Sequence, residues 1–159
     1  MATFFYFYRR KGNRISSEIM QRLFKEDIPA DMAVKGNVII SFKDDEVCDA
    51  LRKCLNDDGY GVYICKTFEE FMELEHVDVM CIVVDVTPGH ASTFHAIEII
   101  KQTPVGMHIP ILVVADVTST GHVVRALNAG ATDYILQPYS NKEFLQRLAK
   151  LSESGRRPA

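Results

Sequence analysis

The sequence predicts an α/β protein with three αβα layers, built on a doubly wound, five-stranded parallel sheet. From residue 37 onward, a short apolar segment is followed by a segment of helical periodicity five times in about 115 residues. Two of the apolar segments, Val79–Val84 and Ile111–Val114, are apolar on both faces, which is typical of strands that helices cover on each side. Because eight such units are needed to close a (β/α)₈ barrel, we expect an open sheet.

The first two units begin the alternation. Val38–Phe42 predicts a strand, and apolar residues at helical spacing predict a helix over 47–55 that Gly59 ends. Val62–Cys65 predicts the second strand. Thr67, with a glutamate three residues later, has the spacing of a capping box, so the second helix is expected to begin there.

The last three units continue the pattern. Pro88-Gly89 turns the chain after the third strand, and Gly130 stands where a residue in the left-handed conformation ends a helix. Ser140 and a glutamate three residues later form a second capping box. The predicted elements are the strands Val79–Val84, Ile111–Val114 and Tyr134–Leu136 and the helices over 94–101, 123–128 and 144–151.

The composition is that of a soluble globular protein whose charge is unevenly spread. Hydrophobic residues make up 47% of the chain and charged residues 25%, which excludes a disordered chain. The net charge of −3 argues against a nucleic-acid-binding protein, and no apolar stretch is long enough to span a membrane. Residues 1–36, the basic head, carry a net charge of +3, whereas residues 37–159 carry −6.

The cysteines and histidines show neither a disulfide framework nor a metal site. No two cysteines have CxxC spacing, so we expect reduced, buried thiols in a cytoplasmic protein. The first apolar stretch precedes its charges, which is the wrong order for a signal peptide. The five histidines lack the paired spacing of a zinc site. The cysteines are Cys48, Cys54, Cys65 and Cys81.

Asp85 is the strongest candidate for chemistry. Open doubly wound sheets place their sites at the carboxyl ends of the strands, and Asp85 directly follows the apolar third strand. A carboxylate there could bind a metal ion or accept a phosphoryl group as an aspartyl-phosphate. It could equally accept backbone N–H bonds and cap the loop that follows. The spacing alone leaves both interpretations open.

Four segments carry a more specific pattern. They are Ile-Val-Val-Asp85, Pro88-Gly89, Ile109-Pro110-Ile-Leu-Val-Val, and Ala126-Leu-Asn-Ala-Gly130-Ala-Thr-Asp-Tyr134-Ile-Leu-Gln-Pro138-Tyr139. Together they resemble the receiver domain of two-component response regulators, over about three quarters of the chain. The resemblance implies a flavodoxin-like (CheY-like) fold with strand order 2-1-3-4-5. It also implies that Asp85 is the position that accepts a phosphoryl group from a histidine kinase, with Mg²⁺ bound beside it.

The chain departs from this family at four of its five active-site positions. The acidic pair that binds Mg²⁺ falls on Phe42 and Lys43, and the hydroxyl residue after the fourth strand falls on Ala115. The lysine before the proline falls on Gln137, so only Asp85 is kept. Phosphotransfer needs the charge neutralisation that these groups supply, and we therefore expect a degenerate site, or pseudo-receiver.

Neighbouring residues offer two ways to compensate for these losses. Lys43 could form an ion pair with Asp85 and act as an internal substitute for the metal. Alternatively, a loop shifted by one or two residues could bring Asp44 or Asp45 to a Mg²⁺ ion beside Asp85. We expect no bound cofactor, and Mg²⁺ only if this shifted loop forms.

Tyr134 and the Gln137–Pro138 bond occupy two further positions of the family. The aromatic residue at the position of Tyr134 is the family's switch, which moves with phosphorylation and alters a partner surface. Tyr134 could also simply fill a strand, and because Ala115 lacks a hydroxyl we favour that interpretation. The family's peptide bond before the proline is cis, so the same is expected here.

The basic head is an addition to the receiver-like body. Five consecutive aromatic residues with high strand propensity precede the basic run Arg9–Arg14, and an amphipathic helix is predicted to follow. An exposed strand of this kind aggregates unless it pairs, so we expect it to contact a sheet edge in its own chain or in a second copy, as a homodimer. The aromatic residues are Phe4, Phe5, Tyr6, Phe7 and Tyr8, and the apolar face of the helix is Ile15, Ile19, Met20, Leu23 and Phe24.

The sequence thus predicts an extension over 1–36, a receiver-like domain over 37–151 and a polar tail or linker over 152–159. The predicted function is non-enzymatic: phosphorelay signalling through contacts with a histidine kinase or an output protein. Two alternatives remain, a working phosphoacceptor at Asp85 and a small-ligand-binding module. The absence of a glycine-rich phosphate loop after the first strand argues against the second.

Overall fold

The computed structural model describes residues 35–74 and 77–155. Its sheet has five parallel strands in the order β2-β1-β3-β4-β5, which confirms the predicted topology. The strands are β1 (Gly36–Ser41), β2 (Tyr60–Ile64), β3 (Val79–Asp85), β4 (Ile111–Asp116) and β5 (Asp133–Gln137). The helices are α1 (Asp45–Asp57), α2 (Phe68–Met72), α3 (Ala91–Gln102), α4 (Thr120–Ala129) and α5 (Asn141–Gly155), with a 3₁₀ turn at Gly106–His108.

Alternation along each strand divides the core into two layers. On β3, Cys81 and Val83 pack on the side of α1 and α5, where Phe144 is fully buried. The residues that alternate with them, Ile82 and Val84, pack on the side of α3 and α4. Because both faces of the central strands are buried, their sequences are continuously apolar, which is the pattern from which the sheet was predicted.

The hydroxyl groups of both predicted capping boxes accept the expected amides. The Thr67 hydroxyl accepts the Glu70 amide at 3.2 Å, and the Ser140 hydroxyl accepts the Glu143 amide at 3.1 Å. The Glu70 carboxylate accepts the amide of Lys66 at 2.5 Å, one residue before the cap. This bond fixes the chain where it leaves β2, which is where the candidate site begins.

Helix α5 extends past its predicted end. It continues through Gly155, past the last residue of the predicted helix, Leu151. The segment looked linker-like because it is polar, but Ser152 is buried and its hydroxyl donates to the Leu148 carbonyl at 2.8 Å. The carbonyl in the preceding helical turn therefore satisfies the buried hydroxyl, and the helix continues.

The remaining predictions about local structure can be scored in the described ranges. All four cysteines are free, and all except the partly buried Cys54 are buried. Gly130 ends α4 with φ of +118°, as predicted. No helix within 35–74 and 77–155 is both long and apolar enough to cross a membrane. The predictions for Phe4–Tyr8 and for the helix after them concern residues outside the described part.

Candidate functional site

Asp85 ends β3 and lies half-buried at the carboxyl edge of the sheet, opposite Val114 of β4. One of its carboxylate oxygens accepts the backbone N–H of Thr87 at 2.9 Å. The loop-capping role left open by the sequence is therefore present. This bond uses one oxygen of the side chain. A carboxylate has further acceptor sites, which this single bond does not fill.

Tyr139 adds a phenol to the surroundings of Asp85. It stacks on Phe144 with ring centroids 5.7 Å apart, which fixes its ring against the core. Burial raises the pKa of the Tyr139 phenol, and the negative charges of the Cys54 thiolate and the Asp85 carboxylate raise it further. Tyr139 is therefore a neutral hydroxyl at physiological pH.

The four positions that depart from the family lie at the strand ends, as predicted. Phe42 is only 3% exposed and packs with α1 in the core, and Ala115 is fully buried on the opposite side of the sheet. Gln137 is half-buried at the end of β5, and its bond to Pro138 is cis, as expected. Two of these positions thus carry apolar side chains, and their match to the family's active-site positions stays a prediction.

Lys66 is the cation of this region, and the sequence analysis gave it no role. Its ammonium donates to the carbonyl oxygens of Phe42 at 2.6 Å and Lys43 at 3.1 Å. It also forms an ion pair with Asp45 at 2.9 Å and lies 3.6 Å from the Cys48 sulfur. One side chain from the end of β2 therefore ties together the loop that follows β1.

The electrostatics of this cluster keep Lys66 charged and the neighbouring thiol neutral. Burial lowers the pKa of Lys66, but the hydrogen bond that its ammonium donates to Asp45 and the proximity of Cys48 leave it above its ordinary value. Burial raises the pKa of the Cys48 thiol, and Lys66 only partly opposes this. The cluster is a lysine held by carbonyls and a carboxylate, with no thiolate at neutral pH.

The predicted ion pair between Lys43 and Asp85 does not form: no ion pair joins these two residues, both of which are described. The Lys43 side chain is exposed. Only its carbonyl enters the site, as an acceptor for Lys66. The prediction of an internal cation placed it on the wrong lysine and the wrong partner.

The carboxylates that a shifted loop could offer to Mg²⁺ are engaged elsewhere. Asp44 is the N-cap of α1, where it accepts the amides of Glu46 at 2.8 Å and Val47 at 3.4 Å. Asp45 pairs with Lys66. A hard divalent cation prefers several oxygen ligands, and here a lysine ammonium binds two carbonyls and a carboxylate of that loop. The residues present do not fit Mg²⁺.

Asp116 caps the next loop at the carboxyl edge. Its carboxylate accepts the Thr118 amide at 2.9 Å, the Thr118 hydroxyl at 2.5 Å and the Ser119 hydroxyl at 2.9 Å. These bonds from Thr118 and Ser119 hold the pKa of Asp116 below its ordinary value. The Thr118 hydroxyl is thus committed to a carboxylate and does not replace the hydroxyl lost at Ala115.

Tyr134 lies on the edge strand β5 and is 38% exposed. Its carbonyl accepts an N–H of Arg147 at 2.8 Å, and the same guanidinium pairs with Asp133 at 3.3 Å. The side chain lies exposed on this edge strand, and whether it acts as a switch or only fills the strand stays a prediction. Arg147, which fastens α5 to this strand, was not singled out from the sequence.

One signal could have identified Lys66 in advance. The strand order 2-1-3-4-5 places the end of β2 beside the end of β1, so Lys66 was the nearest cation from another strand to the loop after Phe42. The contacts of Lys66 with the two carbonyls join residues more than twenty positions apart, so no local sequence pattern predicts them.

The fold and these strand ends define a receiver domain. Residues 38–149 match the response regulator receiver domain family, and the chain belongs to this family. Five parallel strands in the order 2-1-3-4-5, with an aspartate ending the third, form the framework of that match.

Particular relatives are as follows. The chain is 29% identical over 115 residues to the response regulator MprA of Mycolicibacterium vanbaalenii. The matched region covers 72% of this chain and 49% of that protein. It therefore spans about half the length of the curated relatives it matches. Among solved structures it is similar to FixJ from B. japonicum, with a TM-score of 0.67 and 20% identity over 78% of this chain and 61% of that one. It is also similar to the receiver domain of sensor histidine kinase PA1611 from Pseudomonas aeruginosa, whose active site cleft coordinates magnesium, with a TM-score of 0.66 and 18% identity over 74% of this chain and 98% of that one.

Proposed function

We propose that this chain is a degenerate receiver domain that acts in two-component signalling through protein–protein contacts rather than through efficient phosphorylation of Asp85. The observation that carries the proposal is the engagement of Lys66. Its ammonium binds the carbonyls of Phe42 and Lys43 and the Asp45 carboxylate in the loop where the family places its acidic pair. A lysine of the chain itself takes the oxygen atoms of that loop.

The chemistry of phosphoryl transfer supports the proposal. Negative charge is spread over the equatorial oxygens of the transferring group, and catalysis depends on neutralising that charge. Ala115 offers no hydroxyl and Gln137 no cation, while the ammonium of Lys66 is held by its partners in the loop after β1. With Asp85 alone in place, we expect transfer from a phosphodonor to be slowed severely.

Exposed apolar side chains support the protein-contact part of the proposal. Val124 and Leu127 lie one turn apart on α4, with 59% and 38% of their surface exposed, and Tyr134 lies on the strand that follows. Exposed apolar clusters of this kind suit contact with a histidine kinase or an output protein. We place this function in the cytoplasm, in keeping with four free cysteines.

The proposal is tested by mass spectrometry of the intact protein after incubation with acetyl phosphate and Mg²⁺. We expect no phosphorylated species from the wild-type chain on the timescale at which an active receiver domain is labelled completely. The control, Asp85→Asn, fixes the background. Rapid, stoichiometric labelling that Asp85→Asn abolishes would establish the alternative, a working phosphoacceptor.

A restored variant shows that a negative result has the proposed cause. Lys43→Asp, Ala115→Thr and Gln137→Lys together return three family groups while leaving Phe42 in the core. We expect labelling of this variant at Asp85. If a folded restored variant stays unlabelled, the missing groups are not what prevents the reaction.

A further inference from the structure

An apolar groove lies on the α2–α3 side of the sheet. Helix α2 is five residues long and none of its side chains is buried. A cavity of about 480 Å³ separates it from α3, with Phe68 and Phe71 on one wall, Ala96 and Ile99 on the other, and Val84 at its floor. The side chains of both walls are only half-buried, whereas the strand residues at the floor are buried.

A second cavity extends the groove towards the amino end of the sheet. Its volume is about 240 Å³, and it is lined by Val79 of β3, Pro104 and Ile109 among other apolar residues. Phe71 lines both cavities, so the two are neighbours along one side of α2. The groove runs the length of β3 from Val79 to Val84, which is about 17 Å at the rise of a parallel strand.

Two exposed glutamates lie on or beside α2. Glu69 lines the larger cavity together with Lys66 and His95, and Glu73 directly follows the helix. Neither glutamate forms an ion pair within residues 35–74 and 77–155. The basic head has a net charge of +3, and its run Arg9–Arg14 contains four cations and no carboxylate, so it has cations to offer to these two glutamates.

The chain enters the sheet beside the amino end of this groove. The amide of Lys35 donates to the Gly59 carbonyl at 2.6 Å, and Asn37 lies opposite Val79 in the register of β1 and β3. The Asn37 side chain donates to the Asp78 carbonyl at 3.0 Å. Whatever precedes Lys35 therefore starts next to the cavity that Val79 lines.

We infer that residues 15–24 of the same chain dock in this groove as an amphipathic helix. A helix of ten residues is about 15 Å long, close to the length of the groove. Residues 25–34 can span up to about 33 Å, more than enough to connect the groove to Lys35. With its last residue nearest to Lys35 at the amino end of β3, the helix begins towards the carboxyl end of that strand, which brings Arg9–Arg14 towards Glu69 at the start of α2.

The inference is independent of phosphorylation and is tested in the full chain by hydrogen exchange read by mass spectrometry. Leu23→Asp places a charge on the apolar face of the docked segment. We expect amide exchange in α2 and α3 to accelerate by about tenfold or more, because the cover over those helices is lost. Gln21→Asp, which adds the same charge on the opposite face of the predicted helix, is the matched control and should change nothing there. Unchanged exchange in β4 and β5 shows that the sheet is intact.

A second variant approaches the groove from its other side. Glu69→Lys with Glu73→Lys changes exposed residues only, so the fold is retained, and it should accelerate the same exchange in a salt-dependent way. If Leu23→Asp leaves α2 and α3 as protected as Gln21→Asp does, the groove has another occupant and the inference fails. Protection that falls on dilution, together with a dimer in sedimentation equilibrium, would assign the groove to a second copy and would also overturn it.

Discussion

Substitution of Lys66 by methionine tests whether this side chain organises the loop after β1. Methionine keeps most of the aliphatic stem and removes the ammonium. The carbonyls of Phe42 and Lys43 then lose their donor at 2.6 and 3.1 Å, and Asp45 loses its ion-pair partner at 2.9 Å. Each loss has a different expected magnitude, because the three acceptors differ in exposure.

The bond to the Phe42 carbonyl should dominate. Lys66 has 27% of its side chain exposed, and a hydrogen bond from a charged donor in a partly buried site contributes about 1.5 kcal/mol or somewhat more. The Asp45 side chain is 90% exposed, so its ion pair contributes at most about 0.5 kcal/mol. We therefore expect Lys66→Met to lower the free energy of unfolding by about 2 kcal/mol, which lowers Tm by about 8 °C for a domain of this size.

The assay is equilibrium unfolding in urea at neutral pH. Asp45→Asn is the matched control, because it removes the ion pair and leaves both carbonyl bonds; it should cost about 0.5 kcal/mol or less. In the double variant the cost should match that of Lys66→Met within about 0.5 kcal/mol. The reasoning is refuted if Lys66→Met costs no more than Asp45→Asn, since the carbonyl bonds would then contribute nothing measurable.

Three further predictions concern other parts of the chain. Burial raises the pKa of the Cys81 thiol from 9.0 to about 12, so between these pH values the unfolded chain loses a proton that the folded chain keeps. Stability should therefore be constant below about pH 9 and fall by up to about 1.4 kcal/mol per pH unit above it; urea titrations at pH 8, 9 and 10 should show that Cys81→Ala lacks this component of the slope. Thr118→Val removes a hydroxyl donor to Asp116 and should raise the pKa of that carboxyl towards its ordinary value, as measured by carboxyl NMR titration; an unchanged titration would show that the amide and Ser119 suffice. If Phe4–Tyr8 forms a homodimer strand, replacing those five residues by serine should convert a dimer to a monomer in sedimentation velocity, and an unaltered mass would rule out that contact.

The architecture was predictable because its signals are local. Val79–Val84 is apolar at every position since helices cover both faces of β3, and Gly130 ends α4 because only a left-handed residue fits there. The continuation of α5 past Leu151 was not predicted, because its signal is not local. The sequence around Ser152 is polar and is typical of a linker, whereas the burial of Ser152 depends on how the helix packs against the sheet.

The candidate site divides in the same way. The positions of Phe42, Ala115 and Gln137 follow from the ends of strands, so an ungapped comparison with the family located them. The partner of the loop after β1 did not follow, because Lys66 approaches it from an adjacent strand over a separation of 24 residues. The sequence also did not show which lysine side chain points into the loop. Lys43 is exposed and contributes only its carbonyl oxygen, whereas Lys66 contributes the charged ammonium.

The identity of the cation bears on whether this receiver domain can switch. A ligand shifts a conformational equilibrium only by its difference in affinity for the two states. A bound metal can supply such a difference because it comes and goes, whereas Lys66 is part of the chain and its partners Phe42 and Asp45 are always within reach. Under the proposed function, we expect a loop held in this way to keep one arrangement whatever the concentration of metal or phosphodonor. The signal would then enter through surfaces that a partner or the basic head can reach, such as the groove beside α2 and the exposed apolar side chains of α4.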